Sequence, residues 1–397
     1  MAAYRAKIQV SSMSGRSARG ATRHGGTGAT TTTGRQQGTA NRGTERDGDR
    51  RANGPGSPGI GARSVRDVGR TRCSARTPQG TDVVAYSAVV RAVLVVNPQA
   101  TATSAGGRDV LAHALASEVK LDVVETDYRG HAMAVARAAA DEGVDVVVAH
   151  GGDGTVNEVV NGLLSRTDGR PGGYASVPTL GVVPGGSANV FSRALGLPRD
   201  PVEATHRLLH ALERRRGRQV GLGRAGGRWF TFNAGMGWDA DVVAAVERRR
   251  GKRTGPVLYL RTAVTSYLRP PHGHPALTVR VPGEQPIEAR TAFVSNTDPW
   301  SYLGTRPVHL NTGCSFDSGL GLFALTGLGL PTVLRHTCQA LRARGEHRGR
   351  RLVRDDDVPI IGITAESPVN LQVDGDLMGP RTHVEFVGVP RALTVAL

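Results

Sequence analysis

Apolar residues gather in short blocks in the first half of the chain, at residues 93–96, 121–124, 144–149 and 180–183, the first of them unbroken. Continuous runs of this length suit strands buried on both faces. Between them the spacing changes. Val110, Leu111, Ala114 and Leu115 share one helical face, residues 131–141 read as a helix, and Val156, Val159, Val160, Leu163 and Leu164 recur at helical spacing. Strand and helix thus alternate, which predicts an open, mostly parallel sheet covered by helices. Past residue 220 the runs at 229–233, 277–281, 292–295, 321–325, 359–363, 369–373 and 383–387 are short and separated by Gly and Pro. Strands outnumber helices there, predicting a second domain of mainly antiparallel sheet. The polar, basic stretch 342–354 reads as an exposed helix end and loop. Residues 1–88 are rich in Gly, Thr, Arg and Ser and lack periodicity. Such a segment buries too little surface to offset its ordering entropy, so a disordered extension is expected. The predicted organisation is an extension over 1–88, an α/β domain over 89–220 and a mainly β domain over 221–397.

Charge changes the picture less than its size suggests. The formal net charge is +16, but residues 1–90 hold 15 Lys and Arg against five Asp and Glu, leaving about +6 for the remainder. Aromatic residues make up 4%, which argues against single-strand binding by base stacking, so no nucleic-acid partner is expected. Cys73, Cys314 and Cys338 are odd in number and show no CxxC spacing, as expected of free thiols in a reducing cytoplasm. No apolar run reaches membrane-spanning length; the best, 319–334, is broken by glycines and Pro331. The first residues have no apolar core like that of a signal peptide. Trp300 and Tyr302 are candidates for a lipid-facing or membrane-facing loop, or for packing beneath one. The histidines show no metal spacing: His272 and His274 read as solvated, and His150 as a strand-end residue.

Candidate chemistry gathers in two glycine-rich loops. The first, His150 followed by Gly151, Gly152, Asp153, Gly154 and Thr155, directly follows a predicted strand and opens a helix containing Asn157 and Glu158. Glycines let backbone approach a ligand, and the amides of the turn and helix N-terminus face a phosphate. Asp153 would act on phosphate through a cation, which implies water-bridged Mg²⁺. Thr155 is placed to cap the helix and to donate to a phosphate oxygen. The second loop, Val182 to Pro198, repeats strand, glycine turn and helix, with Gly186, Ser187 and Asn189 as candidate contacts to phosphate or ribose. Two such loops on neighbouring strand ends make a crevice of the kind that binds ligands in open α/β sheets.

These loops, with Phe232-Asn233-Ala234-Gly235, Phe316-Asp317-Ser318-Gly319-Leu320 and Val373-Asp374-Gly375-Asp376, resemble the diacylglycerol kinase catalytic family, including bacterial soluble lipid kinases and sphingosine and ceramide kinases. The resemblance runs from about Ala92 onward; the Gly-Gly-Asp-Gly-Thr core is shared with NAD kinases. It implies an ATP-dependent enzyme that phosphorylates a lipid alcohol, meets it from the membrane surface as a cytoplasmic peripheral protein, and leaves room for a homodimer. By the same resemblance, Asn97 and Thr126 contact nucleotide, as do residues 152–158 and Ser187. Asp317 holds a structural Mg²⁺ with backbone carbonyls near Cys314 and Gly319. Asp374 is the general base. The sequence departs from the family pattern at Val190, where a second acid is usual, and at Asp376, where Glu is usual. An NAD-kinase-like enzyme for a soluble alcohol, and a non-catalytic nucleotide-binding protein, are the competing expectations.

Overall fold

The computed structural model describes residues 90–101, 103, 105–167, 177–248, 256–270, 276–343 and 345–397. These lie in the compact unit Asp82–Leu397. The expected extension over 1–88, with Cys73, and the pair His272 and His274 lie outside the described residues.

The first half alternates as its pattern predicts: β1 (Arg91–Val96), α1 (Ala105–Ala116), β2 (Lys120–Glu125), α2 (His131–Asp141), β3 (Val146–Gly151), α3 (Asp153–Leu163), β4 (Thr179–Pro184), α4 (Val190–Ala194) and α5 (Pro201–Glu213). Strand order is β4-β3-β1-β2, with every pair parallel. Burial follows from this order. β1, β3 and β4 are interior and almost wholly buried, whereas β2 at the edge is half exposed. Alternate residues of each strand feed opposite faces. Val93, Val95, Val147 and Ala149 pack with Ala136 of α2 and Val159 of α3, while Leu94, Val96 and Val148 pack with Leu115 of α1 and Leu208 of α5. Val110 departs from the predicted face of α1 and is 64% exposed; Leu111 and Leu115 carry that contact.

The second half is mainly antiparallel: β5 (Gly217–Ala225), β6 (Arg228–Phe230), β7 (Asn233–Gly237), α6 (Trp238–Glu247), α7 (Pro256–Leu268), β8 (Leu277–Arg280), β9 (Ile287–Ala289), β10 (Thr291–Ser295), β11 (Ser301–Leu303), β12 (Arg306–Val308), β13 (Leu320–Leu325), α8 (Leu330–Ala340), β14 (Leu352–Val358), β15 (Ile360–Val373) and β16 (Asp376–Ala396). One sheet runs through both halves in the order β14-β13-β10-β7-β15-β16-β4-β3-β1-β2. Its seam is β16, which pairs antiparallel with β15 and β5 and, at Val395 opposite Leu180, parallel with β4. The runs 359–363 and 369–373 are one strand, β15, whose pairing with β16 is interrupted between Thr364 and Val369. Residues 352–354, expected in a loop, begin β14. Among the described residues no helix is long and apolar enough to cross a membrane.

Candidate functional site

The two glycine loops meet backbone to backbone. Gly185 N–H donates to the Gly151 carbonyl at 2.7 Å. A Cβ on Gly186 would lie 2.7 Å from Gly152 Cα, and one on Gly151 would lie 2.5 Å from Thr155 Oγ1. No side chain fits between the loops, which is why the sequence needs glycine on both. Gly154 differs: its Cβ would meet nothing, and the residue is exposed at the mouth of the loops.

Asp153, the first residue of α3, clamps the loops together. Its Oδ1 accepts from Phe191 N–H at 3.2 Å, and the amides of Asn189 and Val190 add to that hold. Burial pushes its carboxyl up to about 6, with the nearby Asp374 charge adding to the rise. Where the family places a second acid, Val190 gives its amide to Asp153 and its side chain to the core. Asn189 closes the second loop, accepting from Gly186 N–H at 2.9 Å and donating to the Gly186 carbonyl at 2.7 Å. Ser187 is exposed at its tip.

Thr155 is not a helix cap. Helix α3 starts at Asp153 with Gly152 as its N-cap, so Thr155 lies inside the first turn. Its hydroxyl accepts from Asn97 Nδ2 at 3.1 Å, joining the turn after β1 to the first loop. Thr126 follows β2, with its N–H on the Val96 carbonyl at 2.8 Å. Glu158 accepts from Gly130 N–H at 2.8 Å and so stabilises the start of α2. His150 is buried, with Nδ1 at 3.2 Å from the Val183 carbonyl, and desolvation lowers its pKa, as fits a neutral strand-end residue.

Asp374 joins the halves. Its φ is 48°, at the turn between β15 and β16. The carboxylate is buried and accepts five hydrogen bonds: from Thr231 N–H and Oγ1–H, Asn157 Nδ2, Phe232 N–H and Asn233 N–H, at 2.7–3.1 Å. Burial pushes its pKa up and these donors oppose the rise. Asn157 is in turn held by Arg228 at 2.6 Å, and Asn161, one turn on, grips both the N–H and the carbonyl of Trp229. Asp376 pairs with Arg129 at 3.0 Å, so its charge faces α2.

The residues expected around a structural metal make other contacts. The Asp317 carboxylate pairs with Arg218 at 2.6 Å and is 70% exposed. Cys314 Sγ–H donates to the Asp356 carbonyl, and burial raises that thiol's pKa. Gly319 N–H donates to Asp357 at 2.6 Å. Among the described residues no group of three His, Cys, Asp or Glu side chains is arranged to hold a metal ion. The Asp317 carboxylate is thus engaged by Arg218, and no step is routed through a metal there.

The diacylglycerol kinase catalytic domain model matches residues 91–220, the stretch that contains both glycine loops. Over this segment, about a third of the chain, the protein is similar to the diacylglycerol kinase catalytic family. Over 135 residues it is 36% identical to a diacylglycerol kinase of Bacillus subtilis, covering 34% of this chain and 41% of that protein. A probable YegS-like lipid kinase of Chromohalobacter salexigens is 39% identical over 114 residues, which are 29% of this chain and 33% of that one. The chain thus spans less than half the length of these two relatives. A diacylglycerol kinase of Staphylococcus aureus aligns further, at 28% identity over 68% of this chain and 80% of its own. The fold is that of a putative diacylglycerol kinase from Bacillus anthracis, with TM-score 0.60, 21% identity and coverage of 77% of this chain and 96% of that one.

Several site residues escape a reading of the sequence. Asn161 shows only as a polar residue on the apolar face of α3, four positions after Asn157. Thr231 carries no motif and reaches the site through tertiary packing alone.

Proposed function

We propose that this chain is an ATP-dependent lipid kinase that transfers the γ-phosphate of MgATP to a hydroxyl of diacylglycerol or a related lipid. The observation that carries the reading is the meeting of two backbone-exposing glycine loops beside two acids from opposite halves of the fold, the half-buried Asp153 and the buried Asp374. In phosphoryl transfer the protein's work is positioning and charge stabilisation, and this arrangement is suited to both. In the proposal, amides of residues 152–155 and of Ser187 cradle the phosphates, with Asn97 and Thr126 on the nucleotide. Mg²⁺ enters with the nucleotide, held chiefly by phosphate oxygens and water, and neutralises phosphate charge; Asp153 faces it through water.

Two acids compete for the lipid's proton. Asp374, the base expected from the sequence, has the in-plane lone pairs of its carboxylate filled by five donors, so acting as base would require one bond to be lost when substrate enters. Asp153 needs no such loss, and its pKa of about 6 is close to that of an efficient base at neutral pH. We assign proton acceptance to Asp153, and positioning of the β6–β7 turn against α3 to Asp374.

Membrane contact belongs to the same proposal. On α8, Leu330 and Leu334 are each 55% exposed, and Arg335, Arg342, Arg348, Arg350 and Arg351 are exposed around them. Exposed apolar side chains followed by a run of exposed arginines suit an anionic bilayer surface.

The test is transfer from radiolabelled ATP to a panel of lipid alcohols and to NAD. Label on at least one lipid and none on NAD is expected. Label on NAD and on no lipid would overturn the reading.

A further inference from the structure

Two histidines outside the proposed site meet ring to ring at α8. His336 of α8 is buried, and its Nδ1 lies 3.4 Å from Nδ1 of His347, in the segment that leads from α8 into β14. The ring centroids are 5.6 Å apart with 25° between the planes, and Phe323 of β13 packs edge-to-face with each ring. The same segment rests on α8 at two further points. Gln339 accepts from Arg348 N–H at 3.4 Å and donates to the Arg348 carbonyl at 3.3 Å. A Cβ on Gly349 would lie 3.1 Å from His336 Nε2, so backbone covers that edge of the ring.

The protons of the histidine contact follow from its partners. His347 Nε2 faces the His309 carbonyl at 2.8 Å, so Nε2 carries the hydrogen and Nδ1 of the neutral ring is a bare acceptor. His336 therefore donates its Nδ1–H. A proton added to His347 has only Nδ1 to occupy, where it meets the His336 N–H head on. One added to His336 goes to Nε2, against Gly349 and opposed by the Arg335 charge. The other charged groups around the pair offer no net relief. Arg354 and Asp356 of β14 act on His347 in opposite directions, Asp298 is engaged by the His309 ring at 2.6 Å, and Glu346 pairs with Arg348 at 3.3 Å. Desolvation lowers the pKa of both rings from 6.5. Their contribution to stability is thus full above 6.5 and is lost as pH falls below it.

We propose that the His336–His347 contact is an acid-released latch that fastens residues 345–350 to α8, and that its release strengthens binding to an anionic bilayer by adding imidazolium charge beside the exposed Arg348 and Arg350. The link to a bilayer rests on the α8 reading above; the latch itself does not.

The test is amide hydrogen exchange of residues 345–350 at about pH 7.5 and about pH 5.5, corrected for the intrinsic effect of pH on exchange. In wild type, protection of these residues is expected to fall about tenfold or more at the lower pH while β1 keeps its own. His347→Gln offers an acceptor and N–H donors without a titrating group, and is expected to hold the segment at both pH values. No change in wild type, or an undiminished change in His347→Gln, would overturn the latch. Calorimetry monitors folding, and if the variant melts early the wild-type exchange decides alone. Sedimentation with phosphatidylglycerol vesicles reads the second part. Wild type is expected to bind about threefold or more tightly at the lower pH, and His347→Gln to lose that gain. A latch that opens without the gain overturns its link to the bilayer. Absence of vesicle binding at both pH values removes the α8 reading, and the link with it, while exchange still judges the latch.

Discussion

A single carboxyl can serve as a base near neutrality only if its surroundings hold its proton loosely enough to exchange and tightly enough to matter. Asp153 meets that condition because burial raises its pKa to about 6 against 3.8 for an unperturbed Asp. A base must be unprotonated, so kcat/KM should fall as pH drops through about 6, and Asp153→Asn should lose about 10²–10⁴ of activity together with that acid limb. An unchanged limb in the variant would exclude the assignment. Stability gives a second view with a definite sign. The folded state holds the Asp153 proton more tightly than the unfolded chain, so this group's contribution to stability declines as pH rises from about 4 to about 6. Asp153→Asn should therefore flatten Tm across that window and match or exceed the wild-type Tm above it. Asp374→Asn should do the opposite, lowering Tm at every pH. It sets an amide N–H₂ among five donors that now converge on carboxylate oxygens. Calorimetry of the two variants separates a proton acceptor from a structural anion.

The loops divide their glycines between two duties. Gly186→Ala should lower Tm by an amount equivalent to about 1–3 kcal/mol, because its Cβ would lie 2.7 Å from Gly152 Cα with no flexible neighbour to give way. Gly154→Ala should leave Tm unchanged or higher, since it sits in the first turn of α3 with open space before it, yet weaken ATP binding where phosphate must approach. Thermal melts and nucleotide titration check both. The elements of the first half were legible because β1, β3 and β4 are buried on both faces and so are written as nearly continuous apolar runs. Helices α6 and α7 were not. α6 opens on buried Asp239 and Asp241, which are paired with Gln372 and Asn370 of β15, and such polar insertions break an apolar stripe. In the site, the glycine loops could be read from local spacing. The five donors on Asp374 could not, because they come from segments up to 217 residues away.

On the scale of the whole molecule, the positive charge of the described residues has a place to act. If α8 rests on an anionic bilayer, Leu334→Glu should reduce binding to vesicles containing phosphatidylglycerol, and raised salt should weaken wild-type binding by screening the surrounding arginines. Sedimentation with vesicles measures both; binding that is indifferent to the substitution and to salt would argue against this face. The halves are also locked together, by Asp374 on Asn157 and by Arg129 on Asp376. A last consequence follows from the seam. Residues 393–396 of β16 lie against β5 and reach β4 at Leu180, so the edge of the first sheet is covered by chain made about 200 residues later. During synthesis the ribosome must deliver those residues before the first half has its full complement of strands. Until then β4 offers open backbone to any neighbouring chain. The nascent protein is thus obliged to fold late and as one piece, and its window of vulnerability to misassociation, and its need for chaperones, are set by how far apart in sequence two adjacent strands lie.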